Sequence, residues 1–361
     1  MGDIKLKKGT GILFVMAVLF ISSLLYLHYG DQNTLRVGIF YGSNWEVPGT
    51  VHYEILDQAI KKFESKYPNV KVEYEKGILS NDYSEWLSEQ ILKGTEPDVY
   101  LVLDEDFNTL ASLGALKNLD MLVGGDKEFD SGVFYSSVYK AGQYEGSQYA
   151  LPMECNPTLM FVNKTLLQKE GIKVPDNDWT WDDFYDICKT IVKDSDGDGQ
   201  MDQFGCYDYT WLQAVYSNGI TPFNQSGTSS NFLDEKFSQS LEFVKRLEAT
   251  NRNYQVTSND FDLGKVAFRP FTFSDYRTYM PYPWRIKKYS GFEWTCIRMP
   301  AGPSGDNRSE MSALMAGMSS RTEKKQCAWD FVKLLTTDTD IQKLVYEDTS
   351  AASVLKSVNT S

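Results

Sequence analysis

Residues 98–103 read DVYLVL, a short apolar run that begins with one aspartate. Such a run is typical of a strand that is buried on both faces of a parallel sheet. Upstream, residues 35–41 and 70–74 alternate apolar with other side chains, which indicates two more strands. Residues 56–67 and 83–91 carry apolar side chains at helical spacing between these strands. The order of strands and helices therefore predicts an α/β lobe.

The second half of the chain shows the same mixture of elements. Thr180, followed by Asp182 and Asp183, predicts a helix start, because acidic residues are favourable in a first helical turn. Residues 320–323 (SRTE) match a capping box, and residues 336–345 predict a further short helix. The helix after the capping box should bury Ala328, Phe331, Val332 and Leu335. About 330 residues follow the N-terminal segment, which is enough for two lobes with separate cores.

The N-terminal segment has the charge pattern of a membrane anchor. Lys5, Lys7 and Lys8 precede an uncharged apolar run over residues 11–27. This run would span about 25 Å as a helix, close to the thickness of a thin hydrocarbon core. The basic flank predicts that everything after Asp31 lies outside the cell. No A-x-A pattern follows the run, so we favour an uncleaved signal anchor over residues 1–31; cleavage, which would release a secreted protein, is the alternative.

Composition excludes several classes of function. The net charge of −13 and the pI near 4.8 disfavour binding to nucleic acid or to anionic lipid headgroups. The two histidines, His28 and His52, are too few for a histidine-based zinc site, and they argue against a Ser-His-Asp triad. The five cysteines are scattered, odd in number and without a CxxC motif. They are therefore expected to be small buried side chains rather than a disulfide framework.

Several segments occur in the order found in one known family. They are residues 63–73 (FESKYPNVKVE), 94–102 (GTEPDVYLV), 149–164 (YALPMECNPTLMFVNK), 263–268 (LGKVAF) and 299–305 (MPAGPSG). Together they resemble the extracellular solute-binding proteins of sugar-type ABC importers, which are the family 1, maltose-binding-protein-like group. The resemblance runs from about residue 35 to residue 358. Two departures are the lack of a lipid-attachment cysteine in the first 150 residues and a chain end soon after residues 353–357, where many relatives continue with more helix.

The resemblance implies a fold and a division into lobes. The fold would be a two-lobe α/β fold of the periplasmic-binding-protein type II, with hinge crossovers and one N-terminal transmembrane or signal helix before it. Lobe 1 would comprise residues 35–152 and 270–313, and lobe 2 residues 153–269 and 314–361. Hinges would fall near residues 150–154, 267–271 and 313–317. Closure of such lobes would bury a small ligand in the cleft between them.

The resemblance also implies a function without bond-making chemistry. The protein would bind a carbohydrate, in particular an oligosaccharide, and deliver it to the transmembrane subunits of an ABC permease. It would act as a monomer on the outer face of a bacterial cell membrane, with no organic cofactor. Two alternatives belong to other classes. One is a carbohydrate-active hydrolase that uses Glu154 and Asp104 as paired carboxylates; the other is a ligand-sensing module of a signalling system.

Candidate ligand-binding residues follow from strand ends and from the family's cleft positions. Ligands of α/β lobes bind at the carboxyl ends of strands, which selects the loops at 43–45 and 104–107 and the segment after 152. Sugars offer C–H faces that stack on aromatic rings, and hydroxyls that pair with carboxylates and guanidinium groups. The candidates are Asn44, Trp45, Asp104, Asp106, Glu154, Trp211, Tyr216, Arg269, Phe271, Phe273, Tyr276 and Arg285. In a chain with 22 tyrosines and 20 phenylalanines, however, any single aromatic side chain is more often a core residue than a ligand contact.

One acidic loop predicts a structural calcium site. Residues 194–202 (DSDGDGQMD) match the first nine positions of a calcium-binding loop, including the glycine of the turn. The ligands would be Asp194, Asp196, Asp198, Asp202 and the backbone carbonyl of Gln200. Position 12 is Gly205 instead of the usual glutamate, so the last ligand would come from elsewhere or from water. The alternative is a solvated acidic turn without a cation.

Overall fold

The computed structural model describes residues 33–45, 52–224, 227–279 and 291–359. Its strands are β1 (Thr34–Gly38), β2 (Lys71–Tyr74), β3 (Val99–Val102), β4 (Gln143–Tyr144), β5 (Ser147–Gln148), β6 (Ala150–Asn163), β7 (Phe204–Cys206), β8 (Val266–Thr272), β9 (Trp294–Ile297), β10 (Met311–Met318) and β11 (Ala352–Ser353). Its α-helices are α1 (His52–Lys66), α2 (Tyr83–Lys93), α3 (Asp104–Ser112), α4 (Asp120–Gly125), α5 (Ser136–Ala141), α6 (Lys164–Lys169), α7 (Trp181–Ile191), α8 (Trp211–Ser217), α9 (Glu235–Ala249), α10 (Ser258–Asp262), α11 (Phe273–Tyr279), α12 (Lys325–Thr337), α13 (Thr339–Asp348) and α14 (Lys356–Asn359). Single 3-10 turns occupy Ser80–Asp82 and Ser131–Val133.

The predicted strand–helix order of the first lobe is confirmed. β1 pairs in parallel with β2 on one side and with β3 on the other. All four residues of β3 are buried, as expected for a strand covered on both faces. In β1, Leu35 and Val37 are buried while Arg36 between them is exposed, which matches the period of two in the sequence.

One long strand connects the two halves of the molecule. The sheet has the order β2-β1-β3-β10-β6-β8-β7, and β9 and β11 also pair with β6. The 14-residue strand β6 pairs with β10 over residues 150–157 and with β8 over residues 158–162. The partner of β6 therefore changes between Pro157 and Thr158. β6 thus crosses from one lobe into the other, as the fold class requires.

Two main cores lie on either side of this crossing. The first core joins buried side chains of residues 35–153 with those of residues 313–318 and 328–345. The second joins buried side chains between Met160 and Met299. This membership differs from the expected lobe division, because residues 314–345 pack in the first core, and Ile297 and Met299 in the second. The reason is that β10 inserts between β3 and β6, a non-local pairing that places the C-terminal segment in the first lobe.

The crossover is fixed by buried polar contacts. The Asn156 side chain donates from Nδ2 to Oγ of Ser274 at 2.9 Å, and its Oδ1 accepts from the Ser274 backbone N–H at 2.9 Å. The backbone N–H of Thr158 donates to the carbonyl of Glu310 at 3.0 Å. Three chain segments therefore meet at residues 156–158. The expected hinge near 150–154 lies a few residues too early, because those residues still pair with β10 inside the first lobe.

The helix boundaries agree with the sequence at one site and differ at another. Thr180 caps α7, and the carboxylate of Asp183 accepts from its backbone N–H at 2.8 Å, so the predicted helix start is confirmed. The capping box at residues 320–323 is wrong, because α12 begins at Lys325. Thr322 instead donates its hydroxyl to Asp98 at 2.7 Å, a tertiary contact that the local motif does not reveal. The predicted stripe of α12 is buried as expected, at Ala328, Phe331, Val332 and Leu335.

The predicted membrane segment, residues 11–27, lies outside the described residues. Across the described ranges, which begin at residue 33, no helix combines the length and apolar character that crossing a membrane requires.

The cysteines are all free thiols. Cys155, Cys188 and Cys206 are buried, as expected, and Cys296 and Cys327 are half-buried. Burial raises the pKa of the Cys155 thiol to about 12.

Candidate functional site: the cleft between the lobes

Trp45 and Glu154 form the first contact of the candidate site. Trp45 lies in the loop after β1, and its indole Nε1–H donates to Oε2 of Glu154 at 2.8 Å. Glu154 is fully buried in β6, opposite Leu314 of β10 and Ser353 of β11. Because β3 and β10 separate β1 from β6 in the sheet, the loop with Trp45 reaches over the carboxyl ends of β1 and β3. Ligands of α/β lobes bind at this edge.

Asp104 stands at the same edge, at the first position of α3. The register of β3 with β10 places it beside Ala313, whose backbone N–H opposes part of the rise in the pKa of Asp104. The pKa of Asp104 is raised to about 6, first because the surrounding protein desolvates the carboxylate, and then by the negative charges of Glu105 and Glu310. Its side chain is nevertheless exposed to solvent. Exposure together with desolvation indicates that Asp104 faces a concave surface.

Tyr216 approaches this surface from the second lobe. It lies on α8 and is half-buried. Burial raises the pKa of its phenol, and the negative charges of Glu310 and Asp104 raise it further. Burial also raises the pKa of Glu310, which directly precedes β10 at the crossover. Asp104, Tyr216 and Glu310, named here the cleft cluster, therefore bring groups from both lobes and the hinge within electrostatic range of one another.

Two other predicted residues of the first lobe lie close to these groups. Asn44 is half-buried and directly precedes Trp45. Asp106 is half-buried in the first turn of α3, where its carboxylate accepts from the hydroxyl of Ser84 at 2.5 Å. This bond ties α3 to α2, which gives Asp106 a structural role beside Asp104.

Two predicted contacts lie inside the second lobe instead. Phe271 is 4% exposed and packs against Phe161, with ring centroids 5.1 Å apart. The Arg269 guanidinium lies 4.0 Å from the ring centroid of Phe271 and 4.8 Å from that of Tyr207. Both side chains therefore belong to an aromatic cluster of the lobe, because β8 directs residues 269 and 271 to the same face. Phe271 is therefore a buried core residue, whereas Arg269 is half-buried and stays a predicted ligand contact.

The remaining predicted aromatic residues lie on two helices, α8 and α11. Phe273 and Tyr276 of α11 are half-buried, and their rings stack with centroids 5.7 Å apart. Trp211 and Tyr216 lie five positions apart on one helix, so their side chains point in directions about 140° apart around the helix axis. Trp211 accordingly packs on Phe237, at 5.8 Å between ring centroids, and is 41% exposed. Arg285 lies outside the described residues.

Glu310 is the cleft residue that sequence reasoning missed. It follows a polar, glycine-containing segment and carries no local motif. Its position depends on the hydrogen bond between its carbonyl and the N–H of Thr158, and on the insertion of β10 beside β6. The same insertion places Ala313 beside Asp104. A sequence signal for Glu310 would have required the pairing of β10, which lies about 150 residues away from β6 in sequence.

The acidic loop has part of the geometry of a calcium site. Oxygen atoms of Asp194, Asp196 and Asp202 lie within 4.8 Å of one another. The Asp194 carboxylate accepts from the backbone N–H groups of Gly197 and Gly199, at 2.6 and 2.7 Å, and these bonds lower its pKa. Asp198 lies outside this group of three, and its carboxylate accepts from the backbone N–H of Gln200 at 2.7 Å.

Gly205, at position 12 of this loop, has a packing reason to be glycine. A Cβ atom there would lie 2.4 Å from Cβ of Cys188, closer than any side chain permits. Gly205 lies in the buried strand β7, so a glutamate at this position does not fit. The loop therefore offers a cation three carboxylates, and a glutamate at position 12 is not available to complete the set.

The fold and the site together define a class of protein. Two α/β lobes, joined by crossing strands, bring acidic and aromatic side chains together between them, which is the arrangement of a two-lobed ligand-binding protein. Residues 48–341 match the family model described as bacterial extracellular solute-binding protein. The match covers most of the chain, and the protein belongs to this family.

Solved structures and a curated relative agree with this assignment. The sugar-binding protein MalE from Xanthomonas citri superposes with a TM-score of 0.72, 16% identity, and coverage of 91% of this chain and 80% of that chain. An ABC substrate-binding protein from Listeria monocytogenes, in complex with cycloalternan, superposes with a TM-score of 0.60 and 22% identity. The match covers 90% of this chain and 79% of that chain. The diacetylchitobiose-binding protein of Streptomyces coelicolor is 26% identical over 212 residues, which are 58% of this chain and 47% of that protein. At these identities the solved structures establish the fold.

Proposed function

We propose that this chain is the extracytoplasmic substrate-binding component of an ABC importer, which captures a carbohydrate between its lobes and delivers it to a permease. The observation that carries the proposal is the cleft cluster, in which Asp104 of one lobe and Tyr216 of the other share an electrostatic environment with Glu310. A ligand held by both sides favours the closed arrangement of the lobes, because it gains contacts with each.

The side chains at this edge suit a neutral polyhydroxyl ligand. The carboxylates of Asp104 and Glu310 accept hydrogen bonds from sugar hydroxyls, and the phenol of Tyr216 both donates and accepts. The indole of Trp45 offers a face to the C–H side of a pyranose ring. Glu154 holds this indole through the bond to Nε1, so it acts as a positioning residue. The negative groups disfavour acidic sugars, since like charges repel at this range.

The relatives support a carbohydrate, and in particular an oligosaccharide. The Listeria protein was solved with cycloalternan, and the Streptomyces relative is named for diacetylchitobiose. Another solved structure of this fold, from Streptomyces glaucescens, contains acarbose, with a TM-score of 0.60. These ligands differ in linkage and in substituents, so they support the chemical class and leave the individual sugar open.

A thermal-shift screen tests the proposal. The panel contains neutral oligosaccharides, amino sugars and uronic acids, with peptides and polyamines as other ligand classes. A ligand at 100 times its Kd should add about 2.7 kcal/mol of stability, which is a large shift in melting temperature. We expect neutral oligosaccharides to give the largest shifts. A panel in which only a peptide or a polyamine shifts the melting temperature would overturn the carbohydrate assignment.

Binding is proposed to occur without hydrolysis. The raised pKa of Asp104 would also suit a general acid, so the hydrolase alternative has one observation in its favour. Family membership favours the binding function instead. Prolonged incubation with the oligosaccharide that gives the largest shift, followed by chromatography, separates the two: the ligand should be recovered intact, and cleaved product would support an enzyme.

We also propose that the N-terminal segment anchors the protein outside the membrane. The support is the sequence of residues 1–31, in which lysines precede an apolar run long enough to span a thin bilayer. An uncleaved segment keeps the protein in the membrane fraction after a high-salt wash. Recovery of a soluble protein whose mature N-terminus lies near Gly30 would show that the segment is a cleaved signal instead.

The acidic loop is proposed to bind a structural Ca²⁺. Its support is the carboxylate group of Asp194, Asp196 and Asp202 together with the loop spacing. Millimolar calcium outside the cell would fill even a weak site. The cation would neutralise carboxylates that otherwise repel one another, and so would stabilise the connection between α7 and β7.

A further inference from the structure

A second groove lies on the second lobe, and its lining includes none of the three residues of the cleft cluster. It has a volume of about 740 Å³ and runs between the loop after β7 and the chain that follows α9. The residues that carry the argument are Tyr207, Asp208, Trp211, Asn251, Asn253 and Tyr254. Trp211 and Tyr216 stand on different faces of α8, so the groove and the cleft cluster share this helix without sharing these side chains.

Two aromatic side chains form exposed platforms in this groove. Trp211 is 41% exposed and Tyr254 is 42% exposed. Each contacts a buried ring. Tyr254 stacks on Phe204, with centroids 4.5 Å apart and planes inclined by 17°, while Trp211 packs on Phe237 at 5.8 Å. The core therefore fixes one face of Tyr254 and leaves the other face in a defined position for a ligand. The planes of Trp211 and Phe237 are inclined by 48°, so Phe237 contacts the Trp211 ring without covering its face.

The polar groups of the groove suit hydroxyls better than charges. Oδ1 of Asn251 is buried and, within the described part of the chain, accepts no hydrogen bond. A buried acceptor without a donor is costly, and rotation of the Asn251 side chain toward a hydroxyl in the groove would remove this cost. Asn253 and Gln255 add neutral amides, and the charged residues at the groove are of both signs, Asp208 and Glu248 against Lys245. The groove therefore lacks the strong single charge that would select an ion or a charged peptide.

The backbone of the two loops is also unusual. Asp208, Arg252 and Asn253 have φ values of 65°, 50° and 67°. Residues other than glycine, asparagine and aspartate rarely adopt this left-handed region. Arg252 and Asn253 lie in the turn that follows α9, where the Arg252 N–H donates to the carbonyl of Ala249 at 3.3 Å, and left-handed residues are common at such helix ends. Conformations of this kind cluster at ligand-binding sites, because they fix side chains in otherwise unfavoured positions. Here they flank the two platforms.

We propose that this groove is a second carbohydrate site, which binds a segment of a neutral polysaccharide or of a long oligosaccharide through Trp211 and Tyr254. Aromatic faces with neutral amide partners are the chemistry that recognises pyranose rings. The proposal goes beyond the cleft function and does not depend on it. Its consequence is a protein that stays on a long neutral glycan while the cleft takes a small oligosaccharide.

Affinity electrophoresis in native gels tests the groove. The gels contain amylopectin, galactomannan, xylan or mixed-linkage β-glucan, and the proteins are the wild type, Trp211→Ala, Tyr254→Ala and, as the matched cleft control, Tyr216→Ala. We expect at least one polysaccharide to retard the wild type. Trp211→Ala and Tyr254→Ala should each weaken this interaction by about tenfold or more, as aromatic anchors do, and Tyr216→Ala should leave it unchanged. Trp211→Phe keeps a ring and should retain part of the retardation if Trp211→Ala fails to fold.

Each outcome separates the groove from the cleft. Absence of retardation of the wild type on all four polysaccharides overturns the groove proposal, and so does equal retardation of the wild type and the folded Tyr254→Ala variant. Ligand binding in the cleft is measured separately, from the thermal shift given by small oligosaccharides. That shift should survive Trp211→Ala and be lost in Tyr216→Ala. If no oligosaccharide shifts any variant while retardation persists, the cleft function fails and the groove stands.

Discussion

The indole N–H of Trp45 and the carboxylate of Glu154 are joined by a hydrogen bond of 2.8 Å across 109 residues of sequence. Glu154 is fully buried in the strand that crosses between the lobes, whereas Trp45 belongs to a loop at the edge of the first lobe. The bond therefore links the orientation of an edge aromatic ring to the crossover strand. Both residues were candidates from sequence, and the structure shows that they contact each other.

Replacement of Trp45 should weaken ligand binding and stability by separable amounts. Trp45→Ala removes both the ring and the donor to Glu154, and we expect the oligosaccharide affinity to fall about 30-fold, corresponding to about 2 kcal/mol. Trp45→Phe keeps a ring but loses the donor, so it should retain most of the affinity. Both variants should lose about 1.5–3 kcal/mol of unfolding free energy, because a hydrogen bond to a charged group is lost.

Isothermal titration calorimetry with the strongest ligand of the thermal-shift screen, and urea unfolding without ligand, measure the two effects. Wild-type affinity in Trp45→Ala would exclude Trp45 from the ligand site. An unchanged unfolding free energy in both variants would show that the bond to Glu154 contributes nothing to stability.

Binding should depend on the ionisation of Asp104. Its pKa is raised from 3.8 to about 6, so the carboxylate is largely protonated below that value and accepts hydrogen bonds fully only above it. Affinity for a sugar should therefore increase from about pH 5 to about pH 7. Asp104→Asn should flatten this dependence, apart from the contribution of Glu310, whose pKa is also raised. Wild-type affinity that is constant over this range would contradict the assignment.

The same pKa shift has an opposite effect on stability. Because the folded-state pKa of Asp104 lies above the unfolded value, the folded protein binds more protons than the unfolded chain between these two values. The contribution of Asp104 to stability is therefore complete below pH 3.8 and is lost as the pH rises through about 6. Asp104→Asn should raise the melting temperature of the ligand-free protein more at pH 7 than at about pH 5. A variant whose change in melting temperature is equal at both pH values argues against the shift.

The contact between Asn156 and Ser274 should stabilise the crossover. Asn156 and Ser274 are 7% and 1% exposed, and Asn156→Ala removes both hydrogen bonds between them. We expect a loss of about 1–3 kcal/mol in the free energy of unfolding, because buried polar groups lose a partner. Ser274→Ala leaves the bond from its backbone N–H intact and should cost less. Urea unfolding of both variants measures the free energy of unfolding. A loss below about 0.5 kcal/mol in Asn156→Ala, as is usual for surface substitutions, would show that this contact does not stabilise the crossover.

Calcium should stabilise the acidic loop. At ten times its Kd, Ca²⁺ would add about 1.4 kcal/mol, so EGTA should lower the melting temperature and millimolar Ca²⁺ should restore it. Asp194→Asn and Asp202→Asn should abolish the response, whereas Asp186→Asn, an exposed acid on α7, should preserve it. A melting temperature that changes with neither EGTA nor Ca²⁺ would mean that the loop is a solvated acidic turn.

The local fold of the first lobe was accessible from sequence because its signals are local. The apolar run at 98–103 and the alternation at 35–41 report burial directly, and both became strands of the predicted parallel sheet. The stripe of α12 was also visible, because its buried residues repeat at helical spacing. Trp45 and Asp104 were identified for the same reason, since each follows one of these strands.

What escaped prediction depends on pairing between distant segments. β10 lies antiparallel between β3 and β6, and this placement moved the C-terminal segment into the first lobe and brought Glu310 beside Asp104. Phe271 and Arg269 matched the positions of a family pattern, yet the face of β8 that carries them packs inside the second lobe. The motif at 320–323 matched a capping box, yet Thr322 is used by Asp98 instead. In each case tertiary contacts decide between arrangements that the local sequence permits.

A crystal structure with the oligosaccharide that gives the largest thermal shift would show directly where the sugar binds. We expect electron density for the sugar between the lobes, with hydroxyls bonded to Asp104 on one side and to Tyr216 on the other, and with a ring against Trp45. Density confined to the outer surface of one lobe, with Asp104 and Tyr216 left in contact with solvent, would contradict this expectation.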